Sequence, residues 1–230
     1  SFGQPGHDLV PLYGPHWKPG DHRGLELLNV ATGKIEPTSL TPDAIQKAYP
    51  EWVKKNFGEK PISVFFPVLS TDLSRVFVKV ATPAGGDFRS AKASVRLGLF
   101  CYDLRRSEFL SMNEQWGHPA WHPDSRSIIE KAGRIIDSNT GKVTRIPDYK
   151  IYSGDHPSYS PDGRLYVTDT TTNGEPFNGD KFTWAVVVGD VGTGKSVVLH
   201  QFDNSKGARS WRVSHPHPAF SPDGKRVYFN

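Results

Sequence analysis

Apolar residues in this chain come in short runs separated by turn-forming residues, and the three-and-four spacing of an amphipathic helix is scarce. Runs such as Leu99-Phe100-Cys101-Tyr102 predict β-strands. Two recurring turns punctuate them. The first closes an eight-residue phrase that occurs three times: His118-Pro119-Ala120-Trp121-His122-Pro123-Asp124-Ser125, His156-Pro157-Ser158-Tyr159-Ser160-Pro161-Asp162-Gly163 and His217-Pro218-Ala219-Phe220-Ser221-Pro222-Asp223-Gly224. The second ends in Gly-Lys: Asn29 to Lys34, Asp137 to Lys142 and Asp190 to Lys195, each with an apolar strand on either side. In such hairpin turns Gly supplies the positive φ. Together they define a unit of aromatic strand, Pro-Asp-Gly turn, strand, variable loop, strand, Gly-Lys turn and strand. Four antiparallel strands repeated every ~40–50 residues make the blade of a β-propeller.

Phe66-Pro67-Val68-Leu69-Ser70-Thr71-Asp72-Leu73 is a degenerate copy of the phrase, with Phe66 in the place of the histidine. The expected organisation is a half blade at 23–37, three blades starting near Pro61, Gln115 and Gly154, and a half blade at 214–230. Thr41-Pro42-Asp43-Ala44 has a capping residue before Pro, and Pro50 to Gly58 opens on Pro and closes on Gly. A short helical insertion over 41–58 follows. The fold class is therefore all-β, a propeller of four-stranded antiparallel blades. Ser1 in place of an initiator Met, and an end within a strand-like run, lead us to expect part of a larger ring. A four-bladed ring closed by the two half blades is the alternative.

Composition narrows the function classes. The chain has 230 residues, 36% of them hydrophobic, enough for a sizeable core. Its 22 Gly and 19 Pro favour a turn-rich β fold over a helical one. The net charge of +4 suits an anionic substrate, but clustered Lys/Arg runs are missing, so no nucleic-acid partner is expected. No run has the length of a membrane-spanning helix and no signal-peptide order opens the chain, so no membrane partner is expected. A cytoplasmic location is the expectation, with the periplasm or secretion left open. Cys101 is the single cysteine, and its apolar run marks it as an inert core thiol.

Gly189-Asp190-Val191-Gly192-Thr193-Gly194-Lys195-Ser196 matches the phosphate-loop pattern. That motif needs a helix directly after it, so that backbone N–H groups face the phosphates. Val197-Val198-Leu199 predicts a strand instead, and the same turn closes hairpins elsewhere. Nucleotide binding is rejected.

A repeat needs the aromatic residue and the turn, but it does not need histidine. His118, His156 and His217 each stand at the beginning of a blade's first strand, the strand nearest the channel, and should line the channel mouth. His215 and His217 are two apart in an extended segment stiffened by Pro216, so both should project the same way. Any one histidine before proline is more often a packing residue. Three in register beside an HxH pair tip the balance to a metal or catalytic site. His7, His16, His22 and His200 lack this context, and His122 falls at the turn end of its strand. The long loops Ala81 to Ser94, with Arg89 and Arg96 in or just beyond it, and Thr170 to Lys181 should emerge on the histidine face.

These blades resemble the TolB-like propeller repeat, and His215-Pro216-His217-Pro218-Ala219-Phe220-Ser221-Pro222-Asp223-Gly224 is similar to the HPHP motif of the oligogalacturonate lyases. The resemblance runs from about Pro61 onward. It implies a seven-bladed ring, incomplete here, that cleaves uronate oligosaccharides by β-elimination at a Mn2+ site, with another divalent transition metal as the alternative. It makes His156, His215 and His217 metal ligands and His118 the catalytic base, with Arg96 assisting the substrate and Arg89 in reserve. Where that family has a metal-binding glutamine, three residues before the HxH pair, this chain has Arg212. A guanidinium only donates and does not ligate metals, so Arg212 is expected to clamp a substrate carboxylate. Two other readings stay open: a non-enzymatic TolB-like scaffold for protein binding, and the propeller of a serine peptidase.

Overall fold

The computed structural model describes the backbone of residues 9–13 and, in full, residues 24–82, 95–115, 117–149, 156–205 and 215–230. They fall into two compact units: residues up to 116 with 139–141, and 117–138 with 142–230.

The first unit opens with β1 (Leu9–Tyr13), β2 (Leu25–Asn29) and β3 (Ile35–Pro37), a three-stranded antiparallel sheet in that order. The first of these is a strand that the apolar pattern does not announce. Pro11 breaks its run, and proline is tolerated in a sheet at an edge, which is where β1 lies. Two helices follow, α1 (Pro42–Ala48) and α2 (Pro50–Phe57). The Thr41 hydroxyl accepts from the Ala44 N–H at 3.1 Å, capping α1, while Pro at the first helical position spares an N–H that would have no helical acceptor. The helices bury Ile45, Trp52, Val53 and Phe57 against Leu25, Val64, Val78, Val80 and Phe100. Each such apolar side chain contributes roughly 1.5–3 kcal/mol by leaving water. Gly98, at φ 72°, lets Trp52 come close: a Cβ there would lie 3.0 Å from the indole and 2.6 Å from the Phe100 ring. The unit ends with β4 (Ser63–Leu69), β5 (Arg75–Ala81), β6 (Arg96–Asp103) and β7 (Glu108–Asn113), a four-stranded antiparallel meander.

The second unit holds two more meanders and a hairpin. One is β8 (Ala120–Trp121), β9 (Ser127–Glu130), β10 (Arg134–Asp137) and β11 (Val143–Arg145). The next is β12 (Ser158–Tyr159), β13 (Leu165–Thr171), β14 (Thr183–Asp190) and β15 (Ser196–Asp203), and β16 (Ala219–Phe220) pairs with β17 (Val227–Tyr228). Buried Ile129, Ile146, Tyr159 and Tyr166 form one of its apolar clusters. The fold is thus mostly β, with repeated four-stranded antiparallel sheets and two helices, in keeping with a propeller-like architecture.

Both recurring turns fold for the reasons their residues give. In Ser160-Pro161-Asp162-Gly163 the Ser160 hydroxyl donates to Asp162 Oδ1 at 2.6 Å and accepts from the Leu165 N–H at 2.9 Å. The Asp190 to Lys195 turn is a β14–β15 hairpin, its Gly194 at φ 70°, so the phosphate-loop pattern is here a turn between strands. Among the described residues no helix is long and apolar enough to cross a membrane.

Candidate metal centre

In the second unit β12 lies between β8 and β16 and packs against both. These three strands are the short first strands of successive sheets, and each begins two residues after a histidine that precedes a proline. The histidines therefore come together. The ring centroid of His156 is 4.4 Å from that of His118, 3.7 Å from His217 and 5.1 Å from His215. One ligating nitrogen from each of His156, His215 and His217 can be chosen so that the three lie within 4.8 Å of one another. His156 is buried, His215 half-buried, and His118 and His217 are exposed.

One side chain that the sequence reading did not single out holds this arrangement. Asp169, on β13, is fully buried. Its Oδ1 accepts the His156 backbone N–H at 3.0 Å, and its Oδ2 accepts the His217 backbone N–H at 3.0 Å. The His156 ring nitrogen Nδ1 lies 2.9 Å from Oδ2 and 3.1 Å from Oδ1. A single carboxylate thus anchors two histidines from successive repeats. A signal for it exists in the sequence: aspartate is disfavoured in strands, yet Asp169 interrupts the β-branched run Val167-Thr168-Asp169-Thr170.

His215 rests against buried Trp184 of β14, with centroids 5.0 Å apart, and the Asn230 N–H donates to the Pro216 carbonyl at 2.8 Å. The HxH pair departs from expectation in its backbone. His217 sits at φ 46°, not in extended conformation, yet the two rings stay near each other, 5.9 Å between centroids and 24° between planes. Although the residue as a whole is exposed, partial desolvation of its ring first, then His156, holds the His217 pKa below the ordinary histidine value; Asp169 opposes this, and His215 adds to the lowering. The low value favours the neutral imidazole, the form that binds metals.

The other sequence candidates fall elsewhere. Arg96 begins β6 in the first unit, half-buried, with its guanidinium 5.3 Å from the centroid of Phe65. Arg89 and Arg212 lie outside the described residues, as do His7, His16 and His22. His122 is at the turn end of β8, where its Nε2 is 3.2 Å from the Gly163 carbonyl oxygen. His200 is exposed on β15, 5.8 Å from the Phe202 ring. The loop after β13 runs from Thr172 to Phe182 and is tied to itself, the Thr172 hydroxyl donating to the Asp180 carbonyl at 3.1 Å. It springs from the strand end nearest Asp169 and Trp184.

Comparison with known proteins gives likeness of fold. No family model matches the chain. No characterised protein matches it in sequence. Among solved structures it is similar to an oligogalacturonate lyase in complex with manganese, with a TM-score of 0.51 and 16% identity, over 98% of this chain and 71% of that one. It is also similar to the hydrazine synthase of Kuenenia stuttgartiensis, with a TM-score of 0.52 and 14% identity, over 97% of this chain and 52% of that one. At such identities the likeness describes the fold alone.

Proposed function

We propose that this chain is part of a seven-bladed propeller enzyme that cleaves uronate-containing oligosaccharides by metal-assisted β-elimination, oligogalacturonides being the first candidates. The observation that carries the proposal is the gathering of His156, His215 and His217, with ligating nitrogens within 4.8 Å and a buried aspartate behind them. Three imidazoles suit a borderline divalent ion, and a histidine whose second nitrogen meets a carboxylate is a recurring form of metal ligand. Remote likeness to a lyase that holds manganese supports Mn2+ as the first ion to try.

Such an ion would act as a Lewis acid on the uronate carboxylate, making the C5 proton more acidic. The exposed His118, beside His156, would take that proton as a neutral base. The C5–H electron pair becomes the C4=C5 double bond while the C4–O bond breaks, and the leaving oxygen is protonated by solvent. We assign Arg212 to the substrate carboxylate.

The test is direct. Purified protein with Mn2+ and digalacturonate should develop the ultraviolet absorbance of a conjugated 4,5-unsaturated uronate and hold one equivalent of metal. Absence of stoichiometric metal and a flat trace with several uronate oligomers would leave a binding scaffold.

A further inference from the structure

Three imidazoles make a metal site only if each turns an unprotonated nitrogen inward. A neutral imidazole carries one N–H and one lone-pair nitrogen, and a carboxylate beside one of them decides which is which. At His156 that carboxylate is Asp169, with both oxygens within 3.1 Å of Nδ1. We infer that Asp169 is a positioning residue, which fixes His156 as the Nδ1–H tautomer with Nε2 free for the ion and at the same time pins the His217 backbone beside it. This rests on the metal-holding part of the reading above, not on the identity of the sugar.

Two observations separate this role from general packing. The first is the use made of Asp169: two backbone N–H groups from different repeats and one ring nitrogen converge on a single buried side chain. An asparagine of the same shape can present only one oxygen. Its NH2 group would oppose one of these donors and so turn the ring proton toward Nε2, where a metal cannot bind.

The second observation is the repeat. In β12–β13 the register carried two residues past the pair Ser158–Val167 sets Asp169 opposite His156. The same step leads to Lys131 opposite His118 and Asn230 opposite His217, and in β4–β5, where a bulge pairs Lys79 with Phe65, it leads to Lys79 beside Phe66. Lysine or asparagine stands there in three of the four copies, and the strand pairs form all the same. The fold does not demand a carboxylate at this position; among the four copies it stands only beside His156, the histidine whose ring lies near those of His118, His215 and His217.

The experiment reads the tautomer directly. Metal-free protein is labelled with nitrogen-15 histidine, and the His156 ring signals are assigned by their loss in His156→Gln. The expected wild-type spectrum shows a protonated Nδ1 and a bare Nε2. In Asp169→Asn the population should move to the Nε2–H form, with Mn2+ binding weakened by about 10–100-fold, the usual range for such partners of a ligating histidine. A wild-type His156 protonated on Nε2 would overturn the inference, and this measurement decides the matter even if the variant does not fold. So would a variant that keeps the wild-type tautomer, whether its Mn2+ affinity holds or falls. The lyase reading fails separately: an inert protein that still binds Mn2+ and shows the Nδ1–H form loses its proposed chemistry and keeps the role of Asp169.

Discussion

The sheet β4–β7 and the sheet β12–β15 are built from the same phrase, yet one carries chemistry-bearing side chains where the other carries packing. Both close their first turn alike: the Ser70 hydroxyl donates to Asp72 Oδ1 at 2.8 Å and accepts the Arg75 N–H at 2.9 Å, as Ser160 does with Asp162 and Leu165. They diverge at the far end of that strand pair. In the first sheet Lys79, buried, places its ammonium 4.3 Å from the centroid of Phe66. In the second, the equivalent positions hold Asp169 and His156, hydrogen-bonded at 2.9 Å. The lesson is that the turn sets the register while the opposite end is free to host either an aromatic–cation contact or a histidine and its carboxylate. A further difference guards against a false signal. Phe66 and His217 share a left-handed backbone before proline, at φ 54° and 46°, although only one of them belongs to the histidine cluster. Strain at that position therefore belongs to the repeat and does not mark the site.

Several measurements would break or sharpen the contrast. The largest effect is expected from His156→Ala, which removes a ligand: Mn2+ affinity should fall by more than about 100-fold, beyond the loss seen when only a ligand's partner is removed. Product absorbance should vanish with it. Phe66→Leu, its counterpart, should leave Mn2+ binding at the wild-type level, and a fall there would show that the two sheets are not functionally distinct. Next, Mn2+ at about 100 times its Kd should stabilise the protein by about 2.7 kcal/mol in a thermal melt, and this gain should be missing in His156→Ala.

The pH dependence comes third. His217 has a folded pKa below its unfolded value, so in the window between them the unfolded chain binds more protons. Stability from this group is complete above the ordinary histidine range, near pH ~6.5, and declines as the pH falls toward the lower folded value. Mn2+ titrations should run the same way, with about tenfold weaker binding per pH unit for each proton displaced, and a flat profile would count against imidazole ligands. A smaller loss, about 1 kcal/mol in chemical denaturation, is expected when Phe66→Leu removes the ring beneath Lys79. The smallest is common to both sheets. Ser70→Ala and Ser160→Ala should each cost about 0.5–1 kcal/mol, and equal values would bear out a shared turn.

Much of this was legible in the residues. The Ser-Pro-Asp turns, the Gly-Lys hairpins and the two helices announce themselves by local chemistry, because Pro, Gly and capping hydroxyls act within a few positions of themselves. The meeting of His156, His215 and His217 was legible from repetition, since equivalent residues in neighbouring repeats occupy neighbouring places. What escaped depends on pairing across the sheet. Asp169 lies thirteen positions from His156, and only the β12–β13 register brings them together. The left-handed turn of His217 escaped because proline restricts its predecessor's helical region without selecting that conformation. Strand β1 escaped because Pro11 reads as a breaker until an edge position is known.

Asp169 draws on His156 from one repeat and His217 from the next, so neither repeat owns the cluster. Where folding units touch only their neighbours, stability spreads along the chain by local couplings. A cation gripped by residues of two such units would act as a rivet at their seam, strengthening one coupling and leaving the rest alone. Chelator treatment should then loosen the chain first at this joint, which hydrogen exchange can locate by faster amide turnover in β12 and β16 than in β4.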